Sequence, residues 1–150
     1  MVTKANWGAR TGLFAYGPDQ GPPISLQPES GGFQVAFVTT PDYGNYNYFV
    51  SSMAMGGGWG ANTQVAANLR APIALELSVD DKGRRYVTSC DNQNNARVMS
   101  DQGGNWKTTP LNLPFCAGEL DALVAAGRLY VAYREKNNLL TLASFDATLF

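Results

Sequence analysis

The side chains that could carry chemistry in this chain are few, and histidine is missing from them. Of the 150 residues, 11 are Lys or Arg, 12 are Asp or Glu, and none is His. Without imidazole the chain cannot build a Ser-His-Asp or Cys-His catalytic set, an HExxH zinc site or a histidine pH switch. The net charge of -1 argues against a nucleic-acid binder, which needs surplus cations to displace counterions from phosphate.

Cysteine chemistry is similarly restricted. Cys90 and Cys116 could form one bridge but do not make a disulfide framework. Because free cysteines are usually buried as small apolar residues, two buried core residues are the favoured interpretation, and whether Cys90 and Cys116 pair stays open. No CxxC motif or Cys/His cluster indicates a metal, and we expect no cofactor. We also expect no signal peptide and no membrane span, because no apolar run has the necessary length and flanks. The localisation stays open.

The elements that must position these side chains are strands. Hydrophobic residues make up 45% of the chain, which is enough for a core, and they show no helical period over a long window. Short β-rich runs separated by Gly and Asn turns predict an all-β antiparallel protein. The runs are 33–39, 48–51, 73–79, 85–89, 96–99, 129–133 and 140–143.

A glycine turn leads into an aromatic and aliphatic strand three times, at Gly32, Gly83 and Gly127. The spacing of 44 to 51 residues between these glycines lies in the range of four-stranded propeller blades. A β-sandwich with coincidental turns is the alternative fold.

The segment 100–106 resembles the Asp box of sialidase-type β-propellers, S-x-D-x-G-x-x-W. Asp101, Gly103 and Trp106 match the motif, while Met99 occupies its Ser position. In such a box the Asp accepts hydrogen bonds from turn amides, Gly permits a positive φ, and Trp anchors the hairpin on the apolar layer. The resemblance therefore implies a structural role for these residues between the third and fourth strands of a blade.

Two further, incomplete copies stand in register with the first. The earlier copy has Ser52, Gly56 and Trp59, with Ala54 in place of the acid. The later copy has Ser144 and Asp146, with Thr148 in place of the glycine, as the sequence shows. The first positions of the three copies are therefore residues 52, 99 and 144.

The resemblance also implies how the blades are completed. Trp7 resembles the Trp of a fourth box, so residues 1–16 are expected to form a leading outer strand. Residues 22–66 and 70–112 would form two blades, and residues 118–150 an incomplete third blade. The leading strand would complete the last blade, either of this chain or of a neighbouring subunit.

Three blades are too few for a closed propeller, which has four to eight. The interpretation is therefore a homo-oligomer, such as a dimer giving six blades, or a piece of a larger assembly. Without such a partner, the apolar faces and strand edges of the end blades would be exposed to water.

The ligand face of a propeller includes the loop between the second and third strands of each blade. In the first blade this loop is rich in Tyr and Asn, which suit a carbohydrate or a protein surface. The candidate ligand-binding residues are Asp42, Tyr43, Asn45, Tyr46 and Tyr48.

A sialidase would need an arginine cluster and a Tyr nucleophile assisted by a Glu. Arginines and glutamates are present, but none stands in a recognisable motif for that set. The sequence therefore favours a non-catalytic, lectin-like or protein-binding propeller subunit. The alternatives are a structural component of a larger particle, such as a phage virion or tail protein, and a sialidase-like glycoside hydrolase.

Overall fold

The computed structural model describes residues 23–42, 44–116 and 120–150. These residues form three antiparallel sheets and a short 3-10 helix, Ala147–Leu149, so the all-β prediction is confirmed. Within the described residues no helix has the length and apolarity needed to cross a membrane. The predicted leading strand with Trp7, and Tyr43 of the candidate loop, lie outside the described residues.

Each sheet is a simple meander in which strands that follow one another in sequence are hydrogen-bonded neighbours. Sheet 1 contains β1 (Ser25–Glu29), β2 (Gly32–Asp42), β3 (Asn45–Ala54) and β4 (Thr63–Leu69). Sheet 2 contains β5 (Pro72–Val79), β6 (Arg85–Asp91), β7 (Ala96–Gln102) and β8 (Asn105–Leu111). Sheet 3 contains β9 (Leu120–Ala125), β10 (Arg128–Arg134) and β11 (Leu140–Asp146), and has three strands.

The repeated glycine turns precede the second strand of each sheet, with one shift of register. Gly83 and Gly127 have φ angles of 78° and 74°, and in sheet 1 the equivalent left-handed residue is Gly31 at 84°. In sheet 1 the turn glycine is therefore Gly31, one residue before the predicted Gly32. Position 32 needs a glycine for a different reason, because a Cβ there would lie 2.0 Å from the Met53 carbonyl oxygen across the sheet.

Sheet 2 is the middle layer of a three-sheet stack, with one apolar cluster on each of its faces. On one face, Leu75, Leu77, Val87 and Met99 pack against sheet 1, and on the other, Tyr86 and Val98 pack against sheet 3. The first strands of the three sheets are neighbours, since β5 contacts both β1 and β9. This arrangement is compatible with a β-propeller-like fold.

Burial on both faces explains the unusual composition of β6, RYVTSCD. Every residue after Arg85 is buried, including Thr88, Ser89 and Asp91. When one face of a sheet lies in water, buried and exposed residues alternate along each strand, as they do along β9, LDALVA. The polar residues of β6 are therefore interior residues of the stack.

A disulfide joins Cys90 on β6 to Cys116 in the segment that follows β8. The two cysteines are therefore paired, which the sequence left open, and the favoured interpretation is right that both are buried but wrong that they are separate. The pairing depends on tertiary structure, because the folding of sheet 2 brings residues 26 positions apart in sequence within a Cα–Cα distance of 6.0 Å. The bridge ties the connection between sheets 2 and 3 to the middle of the stack.

Reduction of this disulfide should destabilise the chain. Opening a loop of this length lowers the free energy of unfolding by about 3 kcal/mol, since the unfolded state regains its conformational freedom. Urea denaturation with and without a reductant measures the effect. The double variant Cys90→Ala/Cys116→Ala is the control, since its stability should not respond to the reductant. Equal stability of reduced and oxidised wild-type protein would contradict the prediction.

Candidate functional site

The predicted ligand loop between β2 and β3 is only partly a surface feature. Asn45 is exposed, Tyr46 is half-buried against the cluster between sheets 1 and 2, and Tyr48 is only 1% exposed. The Tyr48 hydroxyl donates a hydrogen bond to the Arg70 carbonyl oxygen at 3.2 Å, and burial raises the pKa of Tyr48 to about 12. Tyr48 therefore offers no free ring face for stacking. Nothing is described of Tyr43 or of the Asp42 side chain.

The equivalent loop of sheet 2, between β6 and β7, is organised by a buried carboxylate. Asp91 accepts hydrogen bonds from the backbone amides of Gln93 and Asn95 at 2.9 and 3.0 Å, and it pairs with Arg97 at 3.3 Å. Burial opposes ionisation of Asp91, but the hydrogen bonds from Asn95 and Gln93 and the charge of Arg97 outweigh it and lower the pKa. The Asp91 carboxylate is therefore engaged in the contacts that hold this turn.

Asp101 holds the hairpin between β7 and β8. Its Oδ1 accepts a hydrogen bond from the Gly104 amide at 2.7 Å, and its Oδ2 forms an ion pair with Arg85. Gly103 has a φ of 68°, which the turn requires. The Arg85 guanidinium also lies 5.2 Å from the ring centroid of Trp106, which packs half-buried against sheet 1.

The two incomplete copies differ from this hairpin. At the β3–β4 tip, Gly56 has a φ of 76° and Trp59 bridges to Met53, while Ser52 is exposed. In the last copy Asp146 caps the 3-10 helix, since it accepts hydrogen bonds from the Thr148 amide and hydroxyl at 2.9 and 2.7 Å. The exposed Ser144 accepts one from Arg128 at 2.8 Å.

The structure places a different group of residues at the point where the first strands of the three sheets meet. A recess of about 600 Å³ opens there, between the starts of β1, β5 and β9 and the β10–β11 turn. Its described walls contain exposed aliphatic side chains, two acids and one tyrosine. They are Pro23, Ile24, Ile73, Ala74, Leu75, Glu76, Leu120, Asp121, Ala132, Tyr133 and Leu140.

Glu76 is held in this recess by a serine that bridges two sheets. Ser25 on β1 donates a hydrogen bond from its hydroxyl to Glu76 Oε2 at 3.0 Å. The same hydroxyl oxygen accepts a hydrogen bond from the Leu77 amide at 2.9 Å, which fixes its position. Burial raises the pKa of Glu76, the Ser25 hydrogen bond lowers it, and the nearby charge of Asp121 raises it further, with a net upward shift.

The recess therefore combines negative charge with apolar walls. No lysine or arginine is among its described lining residues, and Glu76 and Asp121 form no ion pair within the described part of the chain. Such a surface favours a positively charged group that carries aliphatic neighbours. Within residues 23–42, 44–116 and 120–150, no group of three or more Cys, Asp or Glu side chains is arranged to hold a metal ion.

The sequence contained one signal for this recess. Glu76 interrupts the apolar run PIALELSV, where a charged residue on a strand buried on both faces needs a polar partner. Ser25 and Asp121 carry no comparable signal, because their proximity to Glu76 depends on the packing of β1 and β9 beside β5.

Comparison with known proteins adds little to this geometry. No protein-family model matches the chain, and no curated protein matches it. A solved structure described as the complex of the fission yeast SREBP-SCAP binding domains is similar at 15% identity with a TM-score of 0.49. The match covers 88% of this chain and 39% of that chain, so this chain spans about two fifths of its length.

Replacement of Asp101 by Asn should remove a pH-dependent part of the stability. Burial opposes ionisation of Asp101, but Arg85 and the Gly104 amide more than compensate and lower its pKa in the folded state. The contribution is therefore present above the unfolded-state pKa of about 3.9 and is lost as the pH falls through the folded-state value. At pH 7 we expect Asp101→Asn to cost about 2 kcal/mol, since hydrogen bonds to a charged group are lost.

Denaturant unfolding of the wild type and of Asp101→Asn from pH 7 to pH 2 measures this difference. The control is Asp81→Asn, which removes the same charge from an exposed turn and should change the unfolding free energy by less than about 0.5 kcal/mol. A constant difference between the wild type and Asp101→Asn at all pH values would contradict the linkage to ionisation.

Proposed function

We propose that this chain is a non-catalytic, β-propeller-type binding protein whose recess receives a basic and aliphatic segment of a partner protein. The observation that carries the proposal is the pairing of two acids, Glu76 and Asp121, with exposed aliphatic walls in one recess. Charge complementarity would orient the partner's Lys or Arg, and contact with the aliphatic walls would add affinity.

The exposed walls favour a protein ligand over a sugar. Ile24, Ile73 and Leu140 are 56%, 39% and 76% exposed, so they can bury apolar area only when a ligand arrives. The aromatic ring in the lining, Tyr133, is 4% exposed and presents little surface for stacking on a pyranose.

The placement of two of the arginines supports a binding role without catalysis. Arg85 and Arg97 are engaged in ion pairs with Asp101 and Asp91, where they brace hairpins. They therefore do not converge as a carboxylate-binding arginine cluster of the kind that a sialidase needs. In the recess itself, Glu76 is oriented by Ser25.

The propeller-type assignment is supported by the order of the strands within the stack. Each sheet is a meander, and its first strand lies beside the first strands of its neighbours. This is the order expected when sheets radiate from a common axis, with ligands entering near that axis. The recess is lined by residues at the starts of these first strands.

A peptide array tests the proposal directly. We expect peptides that contain Lys or Arg flanked by Leu, Ile or Val to bind the full chain, and their acidic counterparts not to bind. Glu76→Gln should weaken a selected peptide by about tenfold, since it removes one charged contact worth about 1.5 kcal/mol. Fluorescence anisotropy with the labelled peptide measures the affinity.

The matched control is again Asp81→Asn, which changes the net charge equally but lies away from the recess. Its peptide affinity should equal that of the wild type. Binding to a glycan array with no selectivity for basic peptides would replace the proposal by the lectin-like alternative. Turnover of an aryl glycoside that is abolished by Glu76→Gln would overturn the non-catalytic assignment.

A further inference from the structure

Glu76 faces the recess with one of its two carboxylate oxygens already engaged. Its Oε2 accepts the single proton of the Ser25 hydroxyl at 3.0 Å, and the Ser25 oxygen is held in turn by the Leu77 amide at 2.9 Å. Its Oε1 accepts no hydrogen bond from the described residues and is not buried. The orientation of the carboxylate is therefore fixed, and Oε1 is the oxygen that a ligand meets.

Asp121 adds a second carboxylate from a different sheet. It is exposed on β9 and forms no ion pair with the residues that the structure describes. Because β9 lies beside β5, the two acids line the recess from neighbouring sheets. Burial raises the pKa of Glu76 and the charge of Asp121 raises it further, so the two carboxylates are close enough to act on each other.

This arrangement distinguishes an ammonium group from a guanidinium group. A lysine ammonium is compact and has three separate donors, so it can donate to Glu76 Oε1 and to Asp121 at the same time. The planar fork of arginine binds best to both oxygens of one carboxylate. At Glu76 such a fork would compete with Ser25 for Oε2, and a fork on Asp121 would leave Glu76 Oε1 without a partner.

The aliphatic walls favour a lysine side chain over the α-ammonium group at the start of a peptide. Ile24, Ile73 and Leu140 line the recess and are exposed. The four methylene groups of a lysine can pack along such walls while the charged end reaches the acids. An α-ammonium group is attached directly to the backbone and has no comparable apolar stem.

We infer that Ser25 makes the recess selective for lysine over arginine, because it engages Glu76 Oε2 and leaves Oε1 and Asp121 for one ammonium group. The inference rests on the proposed function, since it names the basic residue that the partner presents to the same recess. Ser25 is 7% exposed and is not one of the described lining residues. It is therefore a positioning residue that acts through Glu76.

Paired peptides that differ only in one Lys or Arg test the inference. The basic residue is flanked by Ile and Leu, and the N-terminus is acetylated so that no α-ammonium group is present. Fluorescence anisotropy with the full chain measures both affinities. We expect the wild type to bind the lysine peptide at least about tenfold more tightly than the arginine peptide.

Ser25→Ala should remove most of this preference, because Glu76 Oε2 becomes free to accept a second hydrogen bond from arginine. The ratio of the two affinities should fall to about twofold or less. Both affinities are measured on the same protein sample, so a smaller folded fraction changes them equally and leaves the ratio unchanged. Ser25→Thr retains a hydroxyl group and should preserve the preference for lysine.

Ser52→Ala is the matched control, because Ser52 is an exposed serine on β3 that does not line the recess. Its affinity ratio should equal that of the wild type. An arginine peptide that binds the wild type as tightly as the lysine peptide, or a preference for lysine that persists in Ser25→Ala, would overturn this inference alone. Equal binding of an unacetylated peptide without lysine would do the same. Failure of every basic peptide to bind would overturn the proposed function and the selectivity together.

Discussion

The burial of sheet 2 on both of its faces is the constraint on which the rest of this structure depends. A β-sheet has two faces. An apolar face stabilises the folded state only when another layer covers it and removes it from water. Sheet 1 covers Val87 and Met99 on one side, and sheet 3 covers Tyr86 and Val98 on the other. The disulfide between Cys90 and Cys116 reinforces this middle layer at the connection to sheet 3.

The same constraint determines what the outer layers can do. The order of the stack brings the first strands of all three sheets together, and the recess lies where they meet. Among the described residues it also leaves one face of sheet 3 without a following layer, and Leu123 and Leu142 on that face are exposed. The recess therefore arises from the arrangement of the sheets, and its wall at Ala132 and Leu140 continues onto this face of sheet 3.

The acidic residues have different surroundings, and their pKa values are therefore shifted in opposite directions. Asp91 and Asp101 are surrounded by hydrogen-bond donors and an arginine, so their pKa values are lowered and their charges are neutralised within hairpins. Glu76 has a serine donor and another acid as neighbours, and its pKa is raised. Glu76 thus differs from Asp91 and Asp101 in having no ion-pair partner among the described residues.

The amino-acid sequence by itself determined the strand class, most strand positions and the local chemistry of the hairpins. Alternating apolar runs indicated β2, β5, β6 and β10, and the Asp101–Trp106 motif indicated its hairpin, because these signals act between residues close in sequence. No apolar run marked β1, β4 or β8, whose residues are largely exposed, and β8 was expected only as the strand that follows the Asp101–Trp106 hairpin.

Tertiary structure alone decided the features that depend on distant segments. It paired Cys90 with Cys116, placed Tyr48 in the core, and brought Ser25 beside Glu76. It also decided which apolar face is covered, because a period of two indicates that a strand has an apolar side without showing what packs on it. Sheet packing joins residues more than 50 positions apart, such as Ser25 and Leu77, and no local pattern encodes that contact.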